Sequence, residues 1–163
     1  MIAAAMHPLW NTIARGRLTG EQLARLDAYL DALIETNERL NLTRITGRAD
    51  AEVRHVADAL TLLDHLPDGC RTLADVGTGG GVPGVVLAIA RPDVAVTLID
   101  GTKKKLDAVA AMCDRVGVTN VRTLHARAEE TETTAPDATD ENATVSDDDT
   151  ESTGEASEET KSE

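Results

Sequence analysis

Leucine and other apolar residues recur at helical spacing through the first part of the chain. The stripe follows Thr19-Gly20-Glu21-Gln22, whose spacing is that of a capping box with Thr19 as the N-cap. It extends to about Leu40, and its members are Leu23, Leu26, Leu30, Leu33 and Ile34. Because the repeat breaks at Asn37 after about two heptads, it indicates a face packed on a neighbouring domain rather than a coiled-coil seam.

Two more helices are predicted in this region. One starts after Asp50 and ends at Pro67-Asp68-Gly69. Its predicted buried face consists of Val53, Val56, Ala57, Leu60 and Leu63. A shorter helix is predicted around residues 9–14. We therefore interpret residues 1–70 as an N-terminal helical region.

The pattern then changes to alternating strands and helices. Strands are predicted at residues 72–76, 94–100 and 120–125, with helices at 83–90 and 103–116 between them. Right-handed crossovers between such strands produce a parallel sheet, here in the order 3-2-1. The predicted fold class is α/β, with this sheet in a domain spanning residues 71–130 and preceded by the N-terminal helices.

The net negative charge of the protein is concentrated at the end of the chain. Residues 1–128 contain 15 basic and 15 acidic residues, whereas residues 129–163 contain 14 acidic residues and only Lys161, so the net charge of −13 belongs to that last segment. Residues 131–163 have one aliphatic residue larger than alanine, Val145. Such a segment cannot bury enough apolar surface to offset its ordering entropy, so it is predicted to be an acidic, disordered tail.

Composition excludes several functions. The two aromatic residues, Trp10 and Tyr29, are too few for stacking platforms that bind single-stranded nucleic acid. Cys70 and Cys113 have no zinc-type spacing to a histidine, so no metal site is predicted, and two such cysteines fit a reducing cytoplasm. Neither a signal peptide nor a membrane-spanning segment is expected.

A glycine-rich turn after the first strand carries the candidate chemistry. Residues 75–84 read Asp-Val-Gly-Thr-Gly-Gly-Gly-Val-Pro-Gly. Small residues let a ligand approach the backbone, and the next helix offers free N–H groups to an anionic group. Asp75 precedes the triplet Gly77, Gly79 and Gly81, which gives D-x-G-x-G-x-G, the pattern of enzymes that use S-adenosylmethionine (SAM).

Two other interpretations use the same residues. Gly79, Gly81 and Gly84 fit the dinucleotide motif G-x-G-x-x-G, but Asp75 disfavours it. A tight turn without a ligand is also disfavoured, since five glycines in eight residues would cost backbone entropy without return. Asp100, at the end of the second strand, is placed to accept hydrogen bonds from ribose hydroxyls for either cofactor.

Further segments extend the pattern beyond the glycine turn. Leu-Ala-Ile-Ala-Arg-Pro-Asp follows at 87–93 and Leu-Ile-Asp at 98–100, while Asn-Leu-Thr at 41–43 lies upstream. Arg-His-x-x-Asp at 54–58 and the pair at 104–105 add to it. Together these residues resemble the small-subunit (16S) ribosomal RNA methyltransferase G family, also called glucose-inhibited division protein B. The resemblance covers residues 22–130, approximately.

The resemblance implies a partial class I, Rossmann-like SAM-dependent methyltransferase that acts on a guanine N7 in 16S rRNA. By motif position, Gly77 and Val82 would line the SAM site, Ala128 and Glu129 would lie beside the adenine, and Asp100 at the ribose. Guanine N7 has a free lone pair and needs no deprotonation before it attacks the methyl group, so positioning and electrostatics suffice.

No catalytic residue is therefore predicted. We interpret the two tempting candidates, His55 and His125, as part of a polar helix face and as a strand end. The resemblance stops after Glu130, where the family continues with a fourth strand, so the chain is expected to be truncated. The alternative function is a non-catalytic SAM-binding or interaction module.

A truncated sheet has a physical consequence. Residues 73–76 would form an open edge although their pattern is that of a buried parallel strand, and self-association through this edge is a hypothesis. The acidic tail has two interpretations. It is either a solvated segment that aids solubility or an intramolecular RNA mimic on a basic surface formed by Arg39, Arg44, Arg48 and Lys103–Lys105.

Overall fold

The computed structural model describes residues 7–127. Its N-terminal part is helical, with α1 at His7–Ile13 and α2 at Gly20–Leu40. A continuous helical stretch follows, made of α3 at Arg48–Ala51, a π-helical segment at Glu52–Ala57, α4 at Asp58–Thr61 and a 3-10 turn at Leu62–Asp64.

Helix α2 begins with the predicted capping box. The Thr19 side chain accepts from the Gln22 N–H at 3.2 Å, and Gln22 Oε1 accepts from the Thr19 N–H at 2.8 Å. The Gln22 amide also donates to the carbonyls of Ile89 and Ala90, which ties this end of α2 to the end of a helix far along the chain. One residue therefore caps α2 and fixes its position on the second half of the molecule.

The leucine stripe of α2 packs inside the protein, as predicted. Leu26, Leu30 and Leu33 have no exposed surface. α2 contacts the two helices that flank the sheet, α5 at Gly84–Ala90 and α6 at Lys103–Val116. The helical region and the sheet region thus share one hydrophobic core.

The prediction that Val53 is buried is wrong. Val56, Ala57, Leu60 and Leu63 are buried as expected, but Val53 is 49% exposed. The cause is the π-helical segment, in which hydrogen bonds run from residue i to i+5 and each turn is wider. Ala51 lies five residues before Val56, which is the span of one π-helical hydrogen bond, and Ala51 is fully buried.

The sheet confirms the α/β prediction. Strands β1 at Thr72–Val76, β2 at Ala95–Asp100 and β3 at Val121–His125 are all parallel, in the order β1-β2-β3. α5 contacts β1 and β2, while α6 contacts β2 and β3. The arrangement is that of a partial Rossmann-like sheet, and the carboxyl ends of its strands meet on one side.

The face of the sheet opposite α5 and α6 and the outer edge of β1 are largely exposed within residues 7–127, although Ile99 at the centre of that face is buried. Leu98 faces α5 through Gly84, so its neighbour Ile99 faces the opposite way. On that second face Ile99 pairs between Val76, which is 50% exposed, and Leu124, which is 45% exposed. Parallel sheets usually have both faces covered, so this apolar row is an exception.

Some of the predicted features lie beyond the part of the chain that the structure describes. The acidic segment 131–163 lies outside the described residues, and so do Ala128 and Glu129. The division at residue 70 stays a prediction. No helix within residues 7–127 is both long and apolar enough to cross a membrane.

Candidate cofactor site

The glycine turn emerges from the carboxyl end of β1 and is fixed to β2 at once. The N–H groups of Gly77 and Thr78 both donate to the carbonyl of Ile99, at 2.8 and 3.0 Å. Gly77 has φ +78° and Gly79 has φ +54°, values that side-chain-bearing residues rarely adopt. The turn therefore depends on glycine at these two predicted site positions.

Asp75 holds the two ends of the glycine turn together through hydrogen bonds. Its carboxylate is buried, and Oδ2 accepts from the Thr78 hydroxyl at 2.7 Å and from the Gly84 N–H at 2.9 Å. One oxygen thus joins the end of β1, the turn and the first residue of α5. The acid that the sequence singled out as a cofactor signature has a structural function in the turn, whatever it also does for a ligand.

Asp100 joins the turn to the start of α6. Its Oδ2 accepts from the Gly79 N–H at 3.0 Å, and its Oδ1 accepts from the Thr102 N–H at 2.8 Å. A carboxylate oxygen has more than one lone pair, so both oxygens retain capacity for a further donor such as a ribose hydroxyl. The geometry brings the two predicted site residues Asp100 and Gly79 into direct contact.

Tyr29 supports the turn from α2 and was not among the predicted site residues. Its hydroxyl donates to the Gly80 carbonyl at 2.6 Å. Complete burial raises the pKa of Tyr29 well above its ordinary value, so the phenol stays protonated and remains a donor. The available signal was that Tyr29 lies on the same helical face as Leu26 and Leu33.

The glycines of the turn divide into two groups. A Cβ on Gly77 would meet nothing within 4 Å, so this side of the turn is open. A Cβ on Gly81 would lie 2.8 Å from the Tyr29 hydroxyl oxygen, and one on Gly84 would lie 2.8 Å from Asp75 Oδ2. The open backbone at Gly77 fits a ligand cradle, whereas close packing requires glycine at 81 and 84, and Gly81 also has a φ of +93°.

The remaining predicted site residues are in different situations. Val82 is half-buried at the far end of the turn, and its assignment to the cofactor site stays a prediction, as does that of Gly81. His125 is exposed, with Nε2 at 3.1 Å from the Gly101 carbonyl oxygen, consistent with a strand end. Within the described part of the chain, no group of three or more His, Cys, Asp or Glu side chains is arranged to hold a metal ion.

His55 lies in a hydrogen-bonded cluster behind the turn. Its Nε2 is 2.9 Å from the Thr43 hydroxyl oxygen, which also accepts from the Ile45 N–H at 3.1 Å. The buried Asn37 accepts from the Thr43 N–H through Oδ1 at 2.8 Å. Burial lowers the pKa of His55, so the ring is neutral at pH 7 and Nε2 can accept the Thr43 proton. These bonds fix the segment that follows α2.

The predicted basic surface is reduced in the structure. The half-buried Arg48 guanidinium contacts the carboxylates of Asp27, Asp31 and Glu52, which compensate its charge. Lys103 is paired with Asp107 at 2.7 Å.

A Rossmann-like parallel sheet with a glycine turn after β1 and an acidic residue at the end of β2 defines a class, the α/β proteins that bind nucleotide-type cofactors. Comparison with known proteins narrows this class. The family model described as rRNA small subunit methyltransferase G matches residues 22–141. The chain belongs to this family.

Individual relatives agree with the family model. A ribosomal RNA small subunit methyltransferase G from Sorangium cellulosum is 47% identical over 111 residues, which cover 66% of this chain and 46% of the relative. The protein of the same name from Desulfitobacterium hafniense is 43% identical over 113 residues, covering 69% and 46%. That from Trichormus variabilis is 36% identical over 132 residues, covering 77% and 54%. The chain spans about half the length of the curated relatives it matches.

The packing of Gly84 gives a first testable prediction. We expect Gly84→Ala to destabilise the fold by about 1–3 kcal/mol, because the added methyl group would collide with Leu98 and with the Asp75 carboxylate. Gly20→Ala is the matched control, since a Cβ there meets nothing within 4 Å. Urea unfolding of both variants measures the difference, and equal midpoints would contradict the packing described here.

The lowered pKa of His55 predicts a pH dependence of stability. Between its unfolded pKa of about 6.5 and its lower folded pKa, the unfolded chain binds the extra proton and the folded chain does not. Stability contributed by neutral His55 is therefore present above about pH 6.5 and is lost as the pH falls below it. Thermal unfolding from pH 7.5 to pH 5.5, roughly across this range, should show a smaller loss in His55→Gln than in the unchanged protein.

His125→Gln is the control for this experiment, because that side chain is exposed. It should keep the pH dependence of the unchanged protein. An equal loss in His55→Gln and His125→Gln would show that burial of His55 does not cause the effect.

Proposed function

We propose that this chain binds SAM at the glycine turn. We further propose that it is part of an enzyme that methylates a guanine N7 in the 16S rRNA of the small ribosomal subunit. The observation that carries the proposal is the contact between Gly79 N–H and Asp100, which holds the backbone cradle beside a carboxylate. Membership of the rRNA small subunit methyltransferase G family supports the reaction class.

The residues present fit SAM. The open side of Gly77 leaves the backbone accessible, and Asp100 has acceptor capacity for the ribose hydroxyls. Val82 would contribute an apolar contact at the other end of the turn, and Ala128 and Glu129 would lie at the adenine by resemblance. When bound, SAM supplies a methyl group on a positively charged sulfur, which makes that carbon electrophilic.

The chain's contribution to such a reaction is positioning. The glycine turn and Asp100 would hold the cofactor, which would supply an electrophilic methyl group to the lone pair of guanine N7. No proton leaves N7, so no general base is required. The buried bonds of Asp75 and Tyr29 keep the turn in one conformation, which preserves the alignment that an in-line transfer needs.

The alternative is a module that binds SAM without transferring its methyl group. It deserves a test because the chain spans about half the length of its curated relatives. Methyl transfer from radiolabelled SAM to small ribosomal subunits lacking the modification separates the two. Transfer supports the enzyme, whereas SAM binding without transfer supports the module.

The proposal places the protein in the cytoplasm. Cys70 and Cys113 are both free thiols, as a reducing compartment allows. Burial raises the pKa of Cys113 to about 12, so this thiol stays protonated and unreactive.

Asp100 gives the direct test of SAM binding. We expect the unchanged protein to bind SAM in a calorimetric titration and Asp100→Asn to bind at least about tenfold more weakly, because hydrogen bonds to a charged group contribute about 1.5–3 kcal/mol. Asp107→Asn is the matched control, an exposed acid on α6 that contacts Lys103. Equal affinities for the two variants would remove Asp100 from the site.

We also propose, independently of SAM binding, that the protein self-associates through β1. β1 bonds to β2 through Arg71 and Gly77 at its two ends, and strand bonds alternate, so the odd-numbered residues face β2. The backbone groups of Thr72, Ala74 and Val76 then point to the other side, and all three residues are exposed. The Thr72 carbonyl accepts from Cys70 Sγ at 3.4 Å, but no neighbouring strand within residues 7–127 bonds to this edge, and such an edge is a template for another strand.

A second copy of this chain is the occupant that we propose for the edge. Light scattering across a concentration series should show an average mass that rises with concentration. Ala74→Pro, which removes the central N–H of the open edge, should reduce the rise. A monomer at all concentrations would reject this proposal and leave SAM binding untouched.

A further inference from the structure

A polar groove lies between the end of α2 and the start of α6. Its volume is about 850 Å³. One wall is the segment 41–46, and the other includes Lys105 from the first turn of α6.

The groove and the candidate cofactor site share a wall. A Cβ on Gly79 would lie 3.3 Å from the carbonyl oxygen of Leu42, and a Cβ on Gly80 would lie 3.4 Å from the Leu42 side chain. Leu42 also lines the groove. A molecule in the groove would therefore lie one residue away from the glycine turn.

This wall is held in place before any ligand binds. Asn37 fixes the Thr43 N–H, and Thr43 in turn contacts His55 and Ile45. Segment 41–46 begins with the left-handed C-cap Asn41 of α2, and these side-chain bonds hold its conformation. The groove is thus a preformed feature rather than a gap beside a loose loop.

The charges on the groove favour an anionic ligand. Arg44 and Lys105 stand on its two walls, and Glu38 is the acidic residue among those that line it. The first turn of α6 holds three lysines and no acid, which is unfavourable at the positive end of a helix. Lys103 has a partner in Asp107, whereas no ion pair of Lys105 is found within the part of the chain that the structure describes.

We propose that this groove binds the sugar–phosphate backbone of the RNA substrate next to the nucleotide that is methylated, with Arg44 and Lys105 as phosphate-binding residues. The inference rests on the proposed function, since it assumes an RNA substrate whose target base reaches the glycine turn. No aromatic side chain lines the groove among residues 7–127, so recognition is of the backbone rather than by base stacking.

Salt dependence of RNA binding tests the proposal. The probe is a fluorescein-labelled single-stranded RNA oligonucleotide with the full chain, and anisotropy is measured at several salt concentrations. Each phosphate contact to a single strand contributes about 0.7 to the slope of log K against log salt. We expect Arg44→Gln and Lys105→Gln each to lower the slope by about 0.7, and the double variant by about 1.4.

Lys103→Gln is the matched control, because it removes the same charge from the same turn of α6 but from a lysine outside the groove. Its slope should stay near that of the unchanged protein. Lys105→Gln should also unfold at the same or a higher temperature, since it removes a cation from the positive end of a helix.

Each outcome has a stated meaning. No RNA binding by the unchanged chain at the lowest salt, or an unchanged slope in the double variant, would overturn the proposal. Equal effects of Lys103→Gln and Lys105→Gln would also overturn it, because they would indicate a general field instead of a contact. If the Arg44 and Lys105 variants lower the slope while the unchanged protein fails to bind SAM in calorimetry, that result would support the groove proposal and reject the proposed function.

Discussion

One buried carboxylate oxygen, Oδ2 of Asp75, holds the centre of this structure together. It accepts from the Thr78 hydroxyl and from the Gly84 N–H, so the end of β1, the glycine turn and the start of α5 have a single anchor. A buried carboxylate is costly unless it is hydrogen-bonded, and these two bonds meet that requirement. The same bonds hold the turn on both sides of Gly79, next to the open backbone at Gly77.

The helical region acts as a support for the turn. α2 contacts both α5 and α6, and its Tyr29 donates to Gly80 while Leu33 limits the space beside the same residue. Leu42 presses its backbone against Gly79 from the segment that follows α2. Without these contacts, this side of the candidate cofactor site would be exposed. The N-terminal helices are therefore part of the site's geometry as well as its neighbour in sequence.

Much of this fold could be predicted from the sequence because local signals were strong. The capping box fixed the start of α2, and the bounds of β1 and α6 follow their apolar periodicity and the glycine at 117. Val53 failed because a π-helical turn shifts the periodicity and leaves no composition signal. The support from Tyr29 and the groove between segment 41–46 and Lys105 could not be predicted, since each joins residues about 50 or more positions apart. The D-x-G-x-G-x-G pattern identified the turn, but the structural function of Asp75 needed the fold.

The chain's two aromatic side chains, Trp10 and Tyr29, make hydrogen bonds in two different parts of the structure. Trp10 is fully buried and donates through Nε1 to the Glu52 carbonyl at 3.1 Å, in the π-helical segment, whereas Tyr29 contacts the glycine turn. Both side chains belong to the helical region, but Tyr29 contacts the glycine turn and Trp10 contacts the π-helical segment. Fluorescence from Trp10 reports on the helical region, and ultraviolet absorption of Tyr29 reports on the turn. The protein can therefore show optically, without any label, whether the contact at the π-helical segment and the contact at the glycine turn are lost together.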